Sequence, residues 1–312
     1  MSLPSTNFFP SAVEELFTLR DWLRFTVSRF ENSDIFFGHG TDNAYDEAAW
    51  LILASLHLPQ DTLDNFLDAR LLASERKHLL HLIELRVTQH VPTAYLVHEA
   101  WLRGFKFYVD ERVIVPRSFI AELLEQQFAP WIEFPEMIES AADICTGSGC
   151  LGILLANAFP NALIDVVDIS PDAIAVANIN INNYGLQQQI SAIQSDMFSA
   201  LQGKTYDLII SNPPYVDAQA MSTLPQEYRN EPQLALGSGQ DGLDHTHTLL
   251  REAPLHLNAG GLLVVEIGHN RDALLAAYPH LPFVWLEVDA GDEFVFLIQR
   301  EALLAGVQDD SI

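Results

Sequence analysis

The stretch 143–150, DICTGSGC, decides how this chain is built. An apolar β-forming run (AADIC, 141–145) arrives at Gly147 and Gly149, and a helix-forming run leaves them. Two glycines one residue apart let the backbone turn sharply and approach a ligand with no Cβ in the way. Working outward, Val/Ile/Leu-rich runs recur at 162–169, 190–196, 206–211 and 261–268, with helix-length segments between them. SPDAIAVANININ (170–182) carries its own start signal, Ser170 as N-cap and Pro171 at the first helical position. Near-continuous apolar strands alternating with helices predict a doubly wound parallel sheet covered on both faces. The last two strands, 283–288 and 293–299, are joined only by DAGD (289–292), too short for a crossover. They are expected to pair antiparallel, placing one reversed strand at the end of the sheet.

Upstream the periodicity changes. In 11–30, Val13, Leu16, Leu19, Leu23, Val27 and Phe30 fall at three- and four-residue steps, an amphipathic helical stripe. DEAAWLILASL (46–56) and SERKHLLHLIELRVTQ (74–89) read as helices too, the latter with Ser74 as expected N-cap. The expected organisation is a helical domain over 1–100 that recognises the substrate, a β-hairpin linker over 101–117 and a catalytic domain over 118–312.

The charge is lopsided: 16 Lys and Arg against 42 Asp and Glu, a formal net charge of −26. Such a chain repels nucleic-acid phosphates, so direct nucleic-acid binding is not expected; the acidity either serves solubility alone or marks a basic macromolecule, a basic protein, as the partner. Two cysteines, Cys145 and Cys150, exclude a disulfide framework. No apolar run reaches membrane-spanning length, and the first residues lack the basic start and apolar core of a secretory signal. A cytoplasmic setting is expected. The 11 histidines show no metal-ligand spacing, so no metal site is predicted.

Three strand ends converge on one crevice, the place where such sheets hold nucleosides. The second strand ends at Asp168, where an acidic side chain grips ribose hydroxyls, and the third at Asp196, followed by Met197 and Phe198, suited to adenine. Gly152 formally completes G-x-G-x-x-G, so the glycines alone do not exclude a dinucleotide. The fourth strand decides. It delivers the chain to Asn212-Pro213-Pro214-Tyr215, a stiff corner that hydride transfer has no use for. An amide nitrogen is a poor nucleophile, because its lone pair is delocalised. The Asn212 side-chain oxygen and the Pro213 carbonyl can each accept one N–H of an NH₂ group, fixing the nitrogen in line with an electrophilic methyl, while Tyr215 stacks on the flat group.

With Asp143-x-x-Thr-Gly-Ser-Gly, Asp168, Asp196 and Asn-Pro-Pro-Tyr in place, the chain resembles the protein-glutamine N-methyltransferases. VIVPRSFIAELL (113–124), LPQEYRNEPQLALGSGQDGL (224–243) and FFGHGTDNAYDEA (36–48) are most similar to the branch acting on large-subunit ribosomal protein L-three. The resemblance implies a class I S-adenosylmethionine-dependent methyltransferase fold, a doubly wound, mostly parallel seven-stranded sheet with one antiparallel strand, preceded by a small α-helical domain. It implies S-adenosylmethionine as cofactor and S-adenosylhomocysteine as product. Carried over residue by residue, Cys145, Thr146, Gly147, Ser148 and Gly149 would hold the methionine part, Asp168 the ribose, and Asp196 with Met197 the adenine. Asn212 would adjoin the cofactor, and Asn212, Pro213, Pro214 and Tyr215 would take the glutamine, with Asn212, Pro213 and Tyr215 catalytic. Relatives often carry glycine where Cys145 stands. The release-factor branch and adenine methylation in DNA are the alternatives; the first differs only in its target, and the second calls for a basic groove that the sequence lacks.

Overall fold

The structure, a computed structural model, describes residues 9–308. The chain divides into two compact units. One takes the chain up to Ala100 together with Pro225–Asn230, and the other takes Trp101–Leu224 and everything from Glu231 onward.

The first unit is helical, with Leu19–Glu31, Ala44–Ser55 and Ala73–Gln89 as its main elements. A reciprocal capping box starts the first of these: Thr18 Oγ1 accepts from the Asp21 N–H and the Asp21 carboxylate accepts from the Thr18 N–H. Ser74 does not cap its helix. The helix begins a residue earlier, at Ala73, and Glu75 reaches back 2.7 Å to the Leu72 N–H instead. Trp22, Phe30, Leu51, Ile52 and Ile83 form the buried centre. Inside it lies one cation, Arg86, 1% exposed, paired with the carboxylates of Glu47 and Glu227 and donating to the Phe36 carbonyl.

At the start of the second unit, strands β1 (Ala100–Leu102), whose first residue is the last of the first unit, and β2 (Phe105–Phe107) form a small two-stranded sheet. Arg103 and Gly104 between them both adopt positive φ. The hairpin therefore takes up only the first part of the 101–117 segment, starting one residue ahead of it. Beyond Phe107 the backbone turns at Asp110, whose carbonyl accepts from the Val113 N–H, and Pro116 prevents a regular ladder.

The main sheet comprises β3 (Ser140–Ile144), β4 (Leu163–Asp168), β5 (Ile190–Gln194), β6 (Tyr206–Ser211), β7 (Leu257–Glu266), β8 (Val284–Val288) and β9 (Gly291–Gln299), in the order β5-β4-β3-β6-β7-β9-β8. All pairings are parallel except those of β9, which runs antiparallel to both β7 and β8. The reversed strand thus lies between its neighbours, one place in from the edge, because β8 first crosses to the outside and β9 folds back into the gap. Successive residues face opposite layers: Val166 and Ile210 join one core, Val167 and Ile209 the other.

The third glycine of the G-x-G-x-x-G pattern has a packing role. A Cβ on Gly152 would come within 2.2 Å of Val166 Cγ1, so this glycine lets the helix Cys150–Ala158 press against β4. Among the described residues no helix is long and apolar enough to cross a membrane.

Candidate active site at the carboxyl end of the sheet

From β3 the chain builds outward to β4 and β5 on one side and to β6 and β7 on the other, so the crevice between β3 and β6 is the switch point of the sheet. Register holds the strand ends level: Ile144 pairs with Val167 and with Ser211, and Ser211 Oγ donates to the Ile144 carbonyl at 2.7 Å. Above these ends opens a cleft of about 810 Å³, counted with the open solvent at its mouth. Cys145, Gly147, Asp168, Asp196, Met197, Asn212 and Pro214 all line it. Thr146 and Ser148 line an adjoining recess of about 330 Å³, which shares Cys145, Gly147 and Asn212 with the cleft.

The turn after β3 is held from below. Buried Asp143 accepts from the Thr146 hydroxyl and from the Gly152 N–H at 3.0 Å, and burial pushes its carboxyl up to about 7. Asp168, at the end of β4, accepts from the Gly147 N–H and the Ser170 N–H, each at 2.9 Å. Burial holds its carboxyl above the usual range, against the opposing pull of those backbone donors. Its role thus extends beyond lining the cleft, since it ties the glycine turn to β4. A Cβ at Gly147 would meet nothing within 4 Å, so the backbone there borders open space.

Cys145 has φ +62°, the left-handed region where glycine is unstrained, and Met197 opposite it has φ +47°. Their sulfurs lie 3.8 Å apart. Burial, with Asp168 and Asp143 nearby, raises the Cys145 thiol above its ordinary value, which removes it as a nucleophile.

The corner after β6 is pinned from several directions. Asn212 Nδ2 donates to the Arg117 carbonyl at 3.1 Å, which turns Oδ1 to the opposite side of the planar amide. The Tyr215 carbonyl accepts from Asn270 Nδ2 at 2.7 Å. The Tyr215 ring lies where a Cβ on Gly268 would come within 2.8 Å, and its hydroxyl is 3.4 Å from Glu266 Oε1. Pro213 is buried in the corner, and neither it nor Tyr215 nor Gly149 lines the main cleft. Gly149 instead caps the helix Cys150–Ala158, packed on Ala177. Phe198 is not available to a base: it is 2% exposed and stacked on His256.

Sequence reasoning overlooked three contributors. Arg112 and Ile114 line the cleft from the irregular segment after the hairpin, and His245 lines it from the start of the helix Asp244–His256. His245 Nδ1 lies 2.9 Å from Ser238 Oγ, and burial lowers its pKa. No local pattern marks these residues, because only the folded chain brings them to the cleft.

The family description "Methyltransferase small domain" matches residues 123–228. The chain is 59% identical over 296 residues to the ribosomal protein uL3 glutamine methyltransferase of Neisseria gonorrhoeae, covering 95% of this chain and 99% of that protein. The protein of the same name from Bordetella pertussis is 54% identical, over 93% of this chain and 97% of its own length. The chain belongs to the uL3 glutamine methyltransferase family. Membership makes it a methyltransferase. The similarity spans nearly the whole length, so it takes in this chain's helical segment as well as its sheet.

Proposed function

We propose that the protein transfers a methyl group from S-adenosylmethionine to the side-chain amide nitrogen of a glutamine in ribosomal protein uL3, the large-subunit protein L-three. The observation that carries this reading is the Asn212 amide, held at the cleft by the Arg117 carbonyl with its Nδ2 end spoken for.

The cleft suits the cofactor: open space over the Gly147 backbone, a carboxylate at the end of β4, and Asp196 with Met197 at the end of β5. When bound, the cofactor supplies an electrophilic methyl on a cationic sulfur. Cys145 to Gly149 would border its methionine part, Asp168 would accept from the ribose hydroxyls, and Asp196 with Met197 would flank the adenine. Asn212 Oδ1 and the Pro213 carbonyl would each accept one N–H of the glutamine NH₂, aiming its lone pair at the methyl carbon. Pro214 and Tyr215 would present flat surface to the carboxamide. Held by Asn212 and Pro213, that nitrogen would take the methyl, the C–S bonding electrons staying with the sulfur of the departing S-adenosylhomocysteine. The alkylated nitrogen becomes acidic and sheds its proton to water, so no strong base is required. Positioning supplies most of the acceleration, up to roughly 7–11 kcal/mol, with the two acceptors contributing about 3 kcal/mol.

The net charge of −26 fits capture of a strongly basic ribosomal protein, and that capture should weaken with salt. The helical unit would select the target. The test is incubation of the purified protein with labelled cofactor and either uL3 or a peptide chain release factor. Label is expected on a glutamine of uL3; label on the release factor alone would overturn the target assignment.

A further inference from the structure

The segment Val113–Ser118 has no strand or helix to hold it, yet it walls the cleft and the adjoining recess. Two buried glutamates hold it instead. Glu231, 2% exposed, accepts from the Val115 N–H at 3.0 Å and takes both arms of the Arg117 guanidinium, Nη1 at 2.7 Å and Nη2 at 2.6 Å. Arg117 Nη1 also reaches back to the Val115 carbonyl at 3.2 Å. On the far side, Glu266, 1% exposed, accepts from the Ser118 hydroxyl at 2.6 Å and from the Phe119 N–H at 2.9 Å. Between these anchors Pro116 fixes its own φ. The peptide that remains is the one carrying the Arg117 carbonyl, and it is gripped from both ends.

That carbonyl accepts from Asn212 Nδ2. A carboxamide has two ends of nearly equal shape and opposite chemistry. A fixed carbonyl admits only the NH₂ end, because Oδ1 in its place would face another oxygen. The reverse orientation would also turn a donor toward the donor NH₂ of the substrate. The state of one rotor therefore separates a site that accepts the glutamine amide from one that repels it.

We propose that Arg117 and Glu231 are positioning residues for methyl transfer: their bidentate ion pair fixes the Arg117 carbonyl, and the carbonyl sets the orientation of the Asn212 amide. The pair joins residues 114 apart in sequence, one side chain 29% exposed and the other fully enclosed. It is a rigid fork-on-carboxylate contact, which a lysine could not reproduce. The proposal rests on the reading that Asn212 receives a glutamine amide.

The test uses Glu231→Gln, which keeps an acceptor for Val115 but breaks the charge-paired fork, and Arg117→Lys, which keeps the charge and loses the planar geometry. In protein carrying ¹⁵N-asparagine, the Asn212 side-chain signals are identified by their disappearance in Asn212→Ala. Hydrogen exchange at Nδ2 is expected to be slow in the native protein and faster by about tenfold in both variants, the factor carried by one lost hydrogen bond. Turnover on uL3 should fall by up to about a hundredfold with cofactor affinity unchanged. On the Asn212→Ala background the same two substitutions should cost less than about twofold, because the group they act through is gone. If Glu231→Gln does not fold, Arg117→Lys carries the same measurements. Unchanged exchange in the folded variant, or a cost that multiplies with that of Asn212→Ala, would overturn the proposal. The exchange measurement needs no substrate, so it judges the positioning role whatever protein is methylated. A native enzyme that leaves uL3 unlabelled while the amide responds would overturn only the target.

Discussion

Replacing Glu266 with glutamine should stabilise the protein at alkaline pH and leave it nearly unchanged in acid. Burial raises this carboxyl from the usual 4.5 to about 7, against the lowering effect of Ser118, Phe119, Ile120 and Tyr215 as hydrogen-bond donors. Between those two values the folded protein keeps a proton that the unfolded chain has released. The stability contributed by the neutral carboxyl is therefore complete below about pH 4.5 and is lost as pH rises through 7. Each pH unit in that window carries about 1.4 kcal/mol, so about 3 kcal/mol separates the two ends. Glutamine does not titrate, and its two ends fit the contacts present. Both strong donors, Ser118 Oγ and Phe119 N–H, converge on Oε2, while the Tyr215 hydroxyl lies beside Oε1 and can accept from an amide NH₂ there. Urea unfolding of both proteins at pH 5, 6, 7 and 8 measures the difference. It should be about 1 kcal/mol or less at pH 5 and approach ~3 kcal/mol in favour of the variant at pH 8. Asp143, which burial also raises to about 7, is common to both proteins and cancels. An offset independent of pH, or a variant less stable at pH 8, would refute the reasoning.

Asn212→Ala should cut turnover by ~10²–10³ while cofactor affinity, measured by calorimetry, stays nearly intact; equal loss of both would assign Asn212 to the cofactor. Asp168→Ala should weaken cofactor binding by about tenfold or more, since it removes the cleft carboxylate and frees the Gly147 turn; an unchanged dissociation constant would remove the ribose assignment. Gly152→Ala should destabilise the fold by about 1–3 kcal/mol in chemical unfolding, because its Cβ would meet Val166 at 2.2 Å; a neutral result would mean that the helix can lift off β4 freely. Cys145→Gly should leave stability unchanged or raise it by up to about 1 kcal/mol, relieving the φ of +62°, and a clear loss would show that the sulfur contact with Met197 outweighs the strain.

The central sheet was legible because its strands are apolar runs of the right length between strong turn signals. β6 matches its predicted span, and β3 and β4 differ from theirs by a residue at the ends. The position of β9 was not legible, since a four-residue link fixes that two strands pair but not which one lies inside. At the site, Cys145, Gly147, Asp168, Asp196, Met197 and Asn212 could be placed together because each follows a strand end directly. Phe198 was misread: one residue beyond Met197 the chain has already turned into the core. Glu231, Glu266 and His245 carry no local signature. The partners of the two glutamates lie in distant segments, and only the folded chain shows that Glu231 answers Arg117 or that Glu266 answers Ser118.

The helical unit closes only with six residues borrowed from far along the sequence, and Glu227 among them supplies one of the two carboxylates around Arg86. A fragment ending near residue 100 would keep the guanidinium sealed in apolar surroundings with half of its counter-charge, and stripping a partner from an enclosed ion pair costs about 3–5 kcal/mol. No single cut can therefore liberate this unit intact. Recombination that sought to exchange it between relatives would need two coordinated crossovers, one before the sheet and one around residues 225–230, so the two units are bound to be inherited together.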